Sequence, residues 1–168
     1  MGQGRAFVFG DRIDTDVLAP GSLMKLAPED LAKHCLAAIA PGFAMSVQKG
    51  DFVVAGDGFG IGSSREQAAV SLKILGVQAV IARSFARIFY RNAFNLGLPA
   101  VTLDRAGEIQ EGDMLSLDLE GGKLHNMTQH RLYEIAQVPP HLLALIEDGG
   151  LINSLKRQFP AKGGGGHE

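Results

Sequence analysis

Apolar positions change their period along the chain, and the changes mark out elements. Residues 5–9, Arg5-Ala6-Phe7-Val8-Phe9, read as a short strand closed by the turn formers Gly10-Asp11. Over residues 29–40, Leu31, Cys35, Leu36 and Ile39 recur at helical spacing; Pro28 suits the first turn and Pro41-Gly42 the stop. Residues 51–55 read as a buried strand that runs into Gly56-Asp57-Gly58-Phe59-Gly60-Ile61-Gly62, with glycine at every second position. Ala68, Ala69, Leu72 and Leu75 then share one face of a helix closed by Gly76. Residues 77–82 form a second apolar strand. Phe85, Ile88, Phe89 and Leu96 line a further helix ending at Gly97, and residues 99–103 make a third strand.

Strand, glycine loop, helix, strand, helix, strand over residues 51–103 is an α/β pattern with a parallel sheet at its centre. Weaker patterns predict strands over residues 114–119 and 132–135 and one helix over residues 140–156. The expected organisation is a single domain over residues 1–160 with a flexible glycine-rich tail, without function, over residues 161–168. No internal repeat is visible.

Composition narrows the function classes. The chain has 168 residues, 46% hydrophobic and 20% charged, which is enough to bury a core without disulfide or metal. A net charge of −2 argues against nucleic-acid binding through bulk charge. Cys35, the one cysteine, excludes a disulfide framework and a four-cysteine metal or iron–sulfur site made by this chain alone. Apolar runs are too short for a bilayer span, the N-terminal MGQGRAFV has no signal-peptide core, and Ala6 stands where a myristoylation motif wants Ser or Thr. The expectation is a cytoplasmic protein with neither membrane nor nucleic acid as partner.

The glycine loop fails the common nucleotide tests. G-x-G-x-x-G breaks at Ile61 from one start and at Ser63 from the other, and no Gly-Lys-Ser/Thr follows. Ser22-Leu23-Met24-Lys25 matches S-x-x-K, but S-D-N and K-T-G are missing, and there is no G-x-S-x-G elbow. What remains is specific to a helix start. Ser63 with Glu66, and Ser64 with Gln67, have capping-box spacing, and Arg65 adds a guanidinium fork that suits a carboxylate. The plain alternative is two capping serines and a solvated arginine; the functional one is an anion site at a helix N-terminus. Residues 68–103 contain no Asp or Glu yet carry Lys73, Arg83, Arg87 and Arg91, a window of +4 in a chain of −2. Arg83, Arg87 and Arg91 recur every four residues, so they are expected on one helix face as a solvated or interface-facing stripe. A small anion or acidic partner fits this balance better than nucleic acid.

Asp14-Thr15-Asp16, Gly62-Ser63-Ser64-Arg65-Glu66 and Ser84-Phe85-Ala86-Arg87-Ile88-Phe89 together make the chain resemble the 3-isopropylmalate dehydratase small-subunit family, over most of residues 5–150. That family is the swivel-domain component of the aconitase superfamily. The resemblance implies a swivelling β/β/α domain with a mostly parallel central sheet. It also implies half of a hydro-lyase that isomerises 2-isopropylmalate to 3-isopropylmalate by dehydration and rehydration, in leucine biosynthesis. The other half, in a heterodimer or heterotetramer, is a large subunit that carries a [4Fe–4S] cluster, while this chain binds no metal or cofactor. By position in the family motifs, Ser63 is the general base, acting as an alkoxide on a hydroxy diacid. Ser64 and Arg65 bind a substrate carboxylate, and Asp16 of the T-D element lines the active site.

Two departures touch the serine loop: Ile61 stands for the usual cysteine of Gly-Cys-Gly-Ser-Ser-Arg-Glu-His, and Gln67 for its histidine. Neither position carries the serine chemistry. A third departure bears on specificity. Ser22-Leu23-Met24-Lys25 lies where relatives carry a Tyr-Leu-x-x segment that reads the substrate's side chain, with arginine there in aconitase-like and homoaconitase-like members. Met24 is flexible and apolar and suits an alkyl group. Ser22 replaces the aromatic, and Lys25 can stand in for the arginine, so dimethylmalate, citramalate and homoaconitate stay open as substrates. A non-catalytic swivel domain that binds only an anion or partner is the other alternative; retained Ser63, Ser64, Arg65 and Asp16 argue against it.

Overall fold

The computed structural model describes residues 2–160; the glycine-rich tail expected over residues 161–168 lies outside the described residues. Strand β1 (Gln3–Val8) is followed by three short helices, α1 (Thr15–Leu18), α2 (Pro28–Ala32) and α3 (Phe43–Ser46). Then β2 (Phe52–Val54), α4 (Glu66–Ile74), β3 (Ala79–Ala82), α5 (Arg87–Asn95) and β4 (Ala100–Thr102) alternate. A meander of β5 (Met114–Asp118), β6 (Lys123–Asn126) and β7 (Arg131–Glu134) precedes α6 (Pro140–Asp148) and α7 (Leu151–Gln158). No helix among the described residues is long and apolar enough to cross a membrane.

The seven strands form one sheet in the order β4-β3-β2-β1-β5-β6-β7. Four of them are parallel, with Ala6 opposite Phe52, Val53 opposite Val80 and Ile81 opposite Val101. On its other side β1 pairs antiparallel with β5, Gly4 opposite Leu115. The two halves differ in burial as their sequences require. Every residue of β2 and β3 is buried, so their unbroken apolar runs are covered on both faces. β5 and β6 alternate, with Leu115, Leu117 and Leu124 inside and polar neighbours outside.

Three expectations need correction. The helix expected over residues 29–40 ends at Ala32 and continues as turns. Leu36 takes φ 61° and donates its amide to the Val17 carbonyl at 3.0 Å, so a tertiary hydrogen bond replaces the helical one while Leu31, Cys35 and Leu36 stay buried. The single helix expected over residues 140–156 is two, because Gly149 (φ 79°) and Gly150 (φ 121°) adopt conformations open to glycine and turn the chain. Finally, β6 escapes the sequence pattern because its second inward residue is polar. Asn126 is fully buried, donates to the Asp113 carboxylate at 2.8 Å and accepts from the Gln129 amide at 3.1 Å.

The loop between β2 and α4 lies against α5. Phe59 is buried with its ring 5.0 Å from Phe89 and 5.9 Å from Phe85, and Phe85 stacks on Phe89 with only 5° between planes. Gly60, at φ 84°, passes so near Phe89 that a Cβ there would overlap the ring's own Cβ and Cγ. Gly60→Ala is therefore expected to destabilise the protein by about 2–4 kcal/mol, from overpacking and backbone strain together. Urea unfolding checks this: the midpoint falls while the slope is retained.

Candidate active site

In a parallel sheet the backbone leaves each strand at its carboxyl end, and there three segments of this chain meet: residues 9–16 after β1, 55–65 after β2 and 83–86 after β3. They are laced by backbone hydrogen bonds. Gly56 donates to Gly10 (3.1 Å), Gly60 to Ile13 (2.7 Å) and Thr15 to Ile61 (2.8 Å). On the other flank Phe59 donates to Ser84 (3.0 Å) and Ala86 to Phe59 (2.9 Å). Ser84 Oγ accepts from the Gly58 amide at 2.8 Å. Glycine alternation thus lets the loop thread between two neighbours, each within backbone hydrogen-bond distance.

Asp14 caps α1 by accepting from the Val17 amide at 2.8 Å, which turns Asp16 outward. The Asp16 carboxylate accepts from the Gly21 amide and from Arg65 Nη1, both at 2.8 Å, and Arg65 Nη1 also reaches the Ala19 carbonyl at 3.1 Å. The Gly21 amide first, and Arg65 second, hold the Asp16 carboxyl below its ordinary range. The pair thereby joins the T-D element to the serine loop.

The serines sit differently from the capping-box expectation. Arg65, extended at φ −116° and ψ 106°, is the residue that opens α4, and no side chain caps the helix. Ser63 and Ser64 are exposed, two positions and one position earlier. Arg65 is drawn back to Asp16 and Ala19, so the helix starts after it and both hydroxyls remain outside the helix. A cavity of about 260 Å³ opens beside Ser63 and Arg65; Thr15 lines it from α1, and Arg87, Ile88 and Asn92 line it from α5.

Other expected residues are placed apart from this cavity. Ser22 and Lys25 are exposed, on and just after the turn that begins at Gly21, and Met24 is half-buried against the core; none of the three lines the cavity. Arg83 does not share a helix face with Arg87 and Arg91, because α5 starts four residues later; Arg83 instead lies 3.8 Å from Asp57. Arg87, Ile88 and Asn92 were not expected in a site. The motif containing Arg87 and Ile88 was visible, but which loop that helix end would face was not. A larger hollow, about 710 Å³, lies at the amino ends of the parallel strands, lined by Lys49, Lys73 and Gln78. It holds none of the serine-loop residues.

The donor set for an iron–sulfur cluster can be tested on the residues present. Such a cluster takes several thiolates. Cys35 is buried with its thiol pushed up by desolvation, and among the described residues no three His, Cys, Asp or Glu side chains converge. The described residues do not fit a cluster.

Comparison with known proteins agrees with this architecture. Residues 38–106 match the aconitase C-terminal domain family. The chain is 49% identical to 3-isopropylmalate dehydratase small subunit 1 of Thermotoga maritima, covering 95% of this chain and 99% of that one. A methanogen homoaconitase small subunit from Methanothermobacter thermautotrophicus is 46% identical, over 90% of this chain and 88% of that one. The crystal structure of 3-isopropylmalate dehydratase from Methanocaldococcus jannaschii superposes with a TM-score of 0.88 at 41% identity, over 93% of each chain. At this identity and coverage, and with this structural match, the chain belongs to the 3-isopropylmalate dehydratase small-subunit family of the aconitase superfamily.

Proposed function

We propose that this chain supplies the proton-transfer and carboxylate-binding residues of a hydro-lyase that isomerises 2-isopropylmalate to 3-isopropylmalate. The observation that carries the reading is the fixed Arg65 guanidinium, held by Asp16 and Ala19 in the wall of the cavity beside Ser63. A large subunit completes the enzyme and holds the [4Fe–4S] cluster, which the described residues of this chain do not fit. Every role below belongs to this chain alone.

Ser63 Oγ takes the proton from the carbon next to the one that loses hydroxide, and returns a proton when water adds back at the neighbouring carbon. A serine hydroxyl is a weak base in water, and a fixed guanidinium stabilises the alkoxide it must become. Arg65 and Ser64 hold a substrate carboxylate through charge-assisted hydrogen bonds. Asp16 acts through Arg65: it orients the guanidinium and sets its position, and so is a positioning residue. Lys25 is the one cation of residues 21–25 and the candidate reader of a third carboxylate, as in a homoaconitase-type reaction.

Ser63→Ala is expected to abolish turnover by the enzyme reassembled with its large subunit. Because neither serine caps α4, the same substitution is expected to change stability by no more than about 0.5 kcal/mol. Near-normal rates from the assembled variant would show that another group is the base.

The Asp16–Arg65 pair gives a pH prediction. A depressed carboxyl pKa means the ion pair is complete above the ordinary aspartate value of 3.8 and is lost only as pH falls through the lower, folded value. Asp16→Asn is therefore expected to lower kcat/KM by the same factor at every pH from about 5 to about 9. A penalty that disappears toward the acid end of that range would contradict the assignment.

Substrate class is tested by kcat/KM for isopropylmalate, dimethylmalate, citramalate and homoaconitate with one preparation of assembled enzyme. Isopropylmalate is expected to lead. A lead for homoaconitate would overturn the isopropylmalate reading, with Lys25 or a large-subunit residue reading the third carboxylate.

A further inference from the structure

A hydroxy diacid brings two negative charges into the site, and a desolvated dianion needs two positive charges to balance it. Arg65 does not supply a net one. Its guanidinium already pairs with Asp16, so that part of the site is close to neutral before substrate arrives. The wall of the cavity contains no Asp or Glu, and its one other cation is Arg87.

Arg87 is unlike the other arginines near it. Arg65 pairs with Asp16 and Arg83 approaches Asp57, whereas Arg87 is exposed and no ion pair among the described residues involves it. It is also the first residue of α5, whose first turn has no acidic residue and no side-chain cap. A cation at that end of a helix is opposed by the helix dipole, so folding gains nothing from placing it there. An anion held in front of it reverses the sign of that interaction. The backbone that carries Arg87 is firmly held, since Phe89 two residues on is locked between Phe59, Phe85 and Gly60. Arg87 stands on a ridge: it borders the Ser63 cavity on one side and a hollow with Tyr90, Arg91 and Phe94 on the other.

We propose that Arg87 is a substrate-binding residue that holds the second carboxylate of the diacid, opposite the one bound at Arg65. The inference rests on the functional reading above and adds to it a cation that no ion pair among the described residues already neutralises. It gives the site a two-point grip: Arg65 beside Ser63 on the serine loop, Arg87 across the cavity on α5.

The test uses the enzyme assembled with its large subunit, comparing Arg87→Gln and Arg87→Lys with the unmutated form. Loss of one charge-assisted contact is expected to raise KM for the diacid about ten- to hundredfold, with kcat changed much less. Arg87→Lys is expected to recover most of the loss, because charge rather than fork geometry is the main requirement. Competitive inhibition by succinate, a plain dicarboxylate, weakens in parallel in Arg87→Gln, while inhibition by the monocarboxylate isobutyrate does not. An unchanged KM, equal weakening of both inhibitors, or an effect confined to the affinity between the two subunits overturns the proposal; the last would make Arg87 an interface residue. If the unmutated assembled enzyme converts none of the four malate-type acids, the functional reading itself falls, and this inference with it.

Discussion

The backbone lacing at the carboxyl ends of β1, β2 and β3 is the constraint on which the site depends. A loop that hydrogen-bonds on one flank to residues 10–15 and on the other to residues 84–86 has little freedom of its own. It needs glycine where its neighbours come closest, most of all at Gly60 against Phe89. The buried parallel strands hold the three segments in register, and Phe59 anchors the middle of the loop in the core. Ser63 is exposed, yet it follows directly from this fixed stretch. That combination suits the base proposed for Ser63, which needs both access and a fixed position.

Charge is arranged around the same lacing. Asp16 gives its carboxylate to Gly21 and Arg65, Asp57 faces Arg83, and Asp11 and Asp14 accept from the backbone amides of Asp57 and Val17, so these four acids near the loop each have a donor. Anionic side chains are thereby kept from competing with an anionic ligand. The opposite half of the sheet handles its buried acid differently. Asp113 accepts from Asn126, Gln129 and the Gln110 amide, a neutral set of donors that serves the fold alone. Asp16 and Asp113 are both satisfied carboxylates; only the first joins the T-D element to the serine loop.

The elements that the hydrophobic pattern predicted well are those whose burial follows one simple period. Residues 51–103 form β2, α4, β3, α5 and β4 as expected, because their strands are apolar throughout and their helices have one apolar face. The pattern failed where a single residue's tertiary partner overrode its neighbours. Leu36 left the helix for the Val17 carbonyl, Asn126 hid a strand behind a buried amide, and Gly149-Gly150 split a helix whose apolar residues kept their period on both sides.

For the candidate site, the motifs around Asp16, Ser63 and Arg87 carried the resemblance to the family, and the resemblance supplied the expected roles of Ser63, Ser64, Arg65 and Asp16. Asp16 and Arg65 are 49 positions apart, and local pattern said nothing of their contact; the fold brings them to 2.8 Å because α1 and the serine loop both rise from the same sheet edge. The capping boxes were legible and misleading, since Arg65's attraction to Asp16 shifts the helix start past both serines. Met24 has chemistry that suits an alkyl group, and the fold packs it half-buried against the core. Arg87, by contrast, reads in the sequence as part of a solvated stripe, and the fold sets it in the cavity wall because α5 begins against the serine loop. Local chemistry is written in the order of residues. Which charges face one another is decided only when strands, each short in sequence, set distant loops side by side.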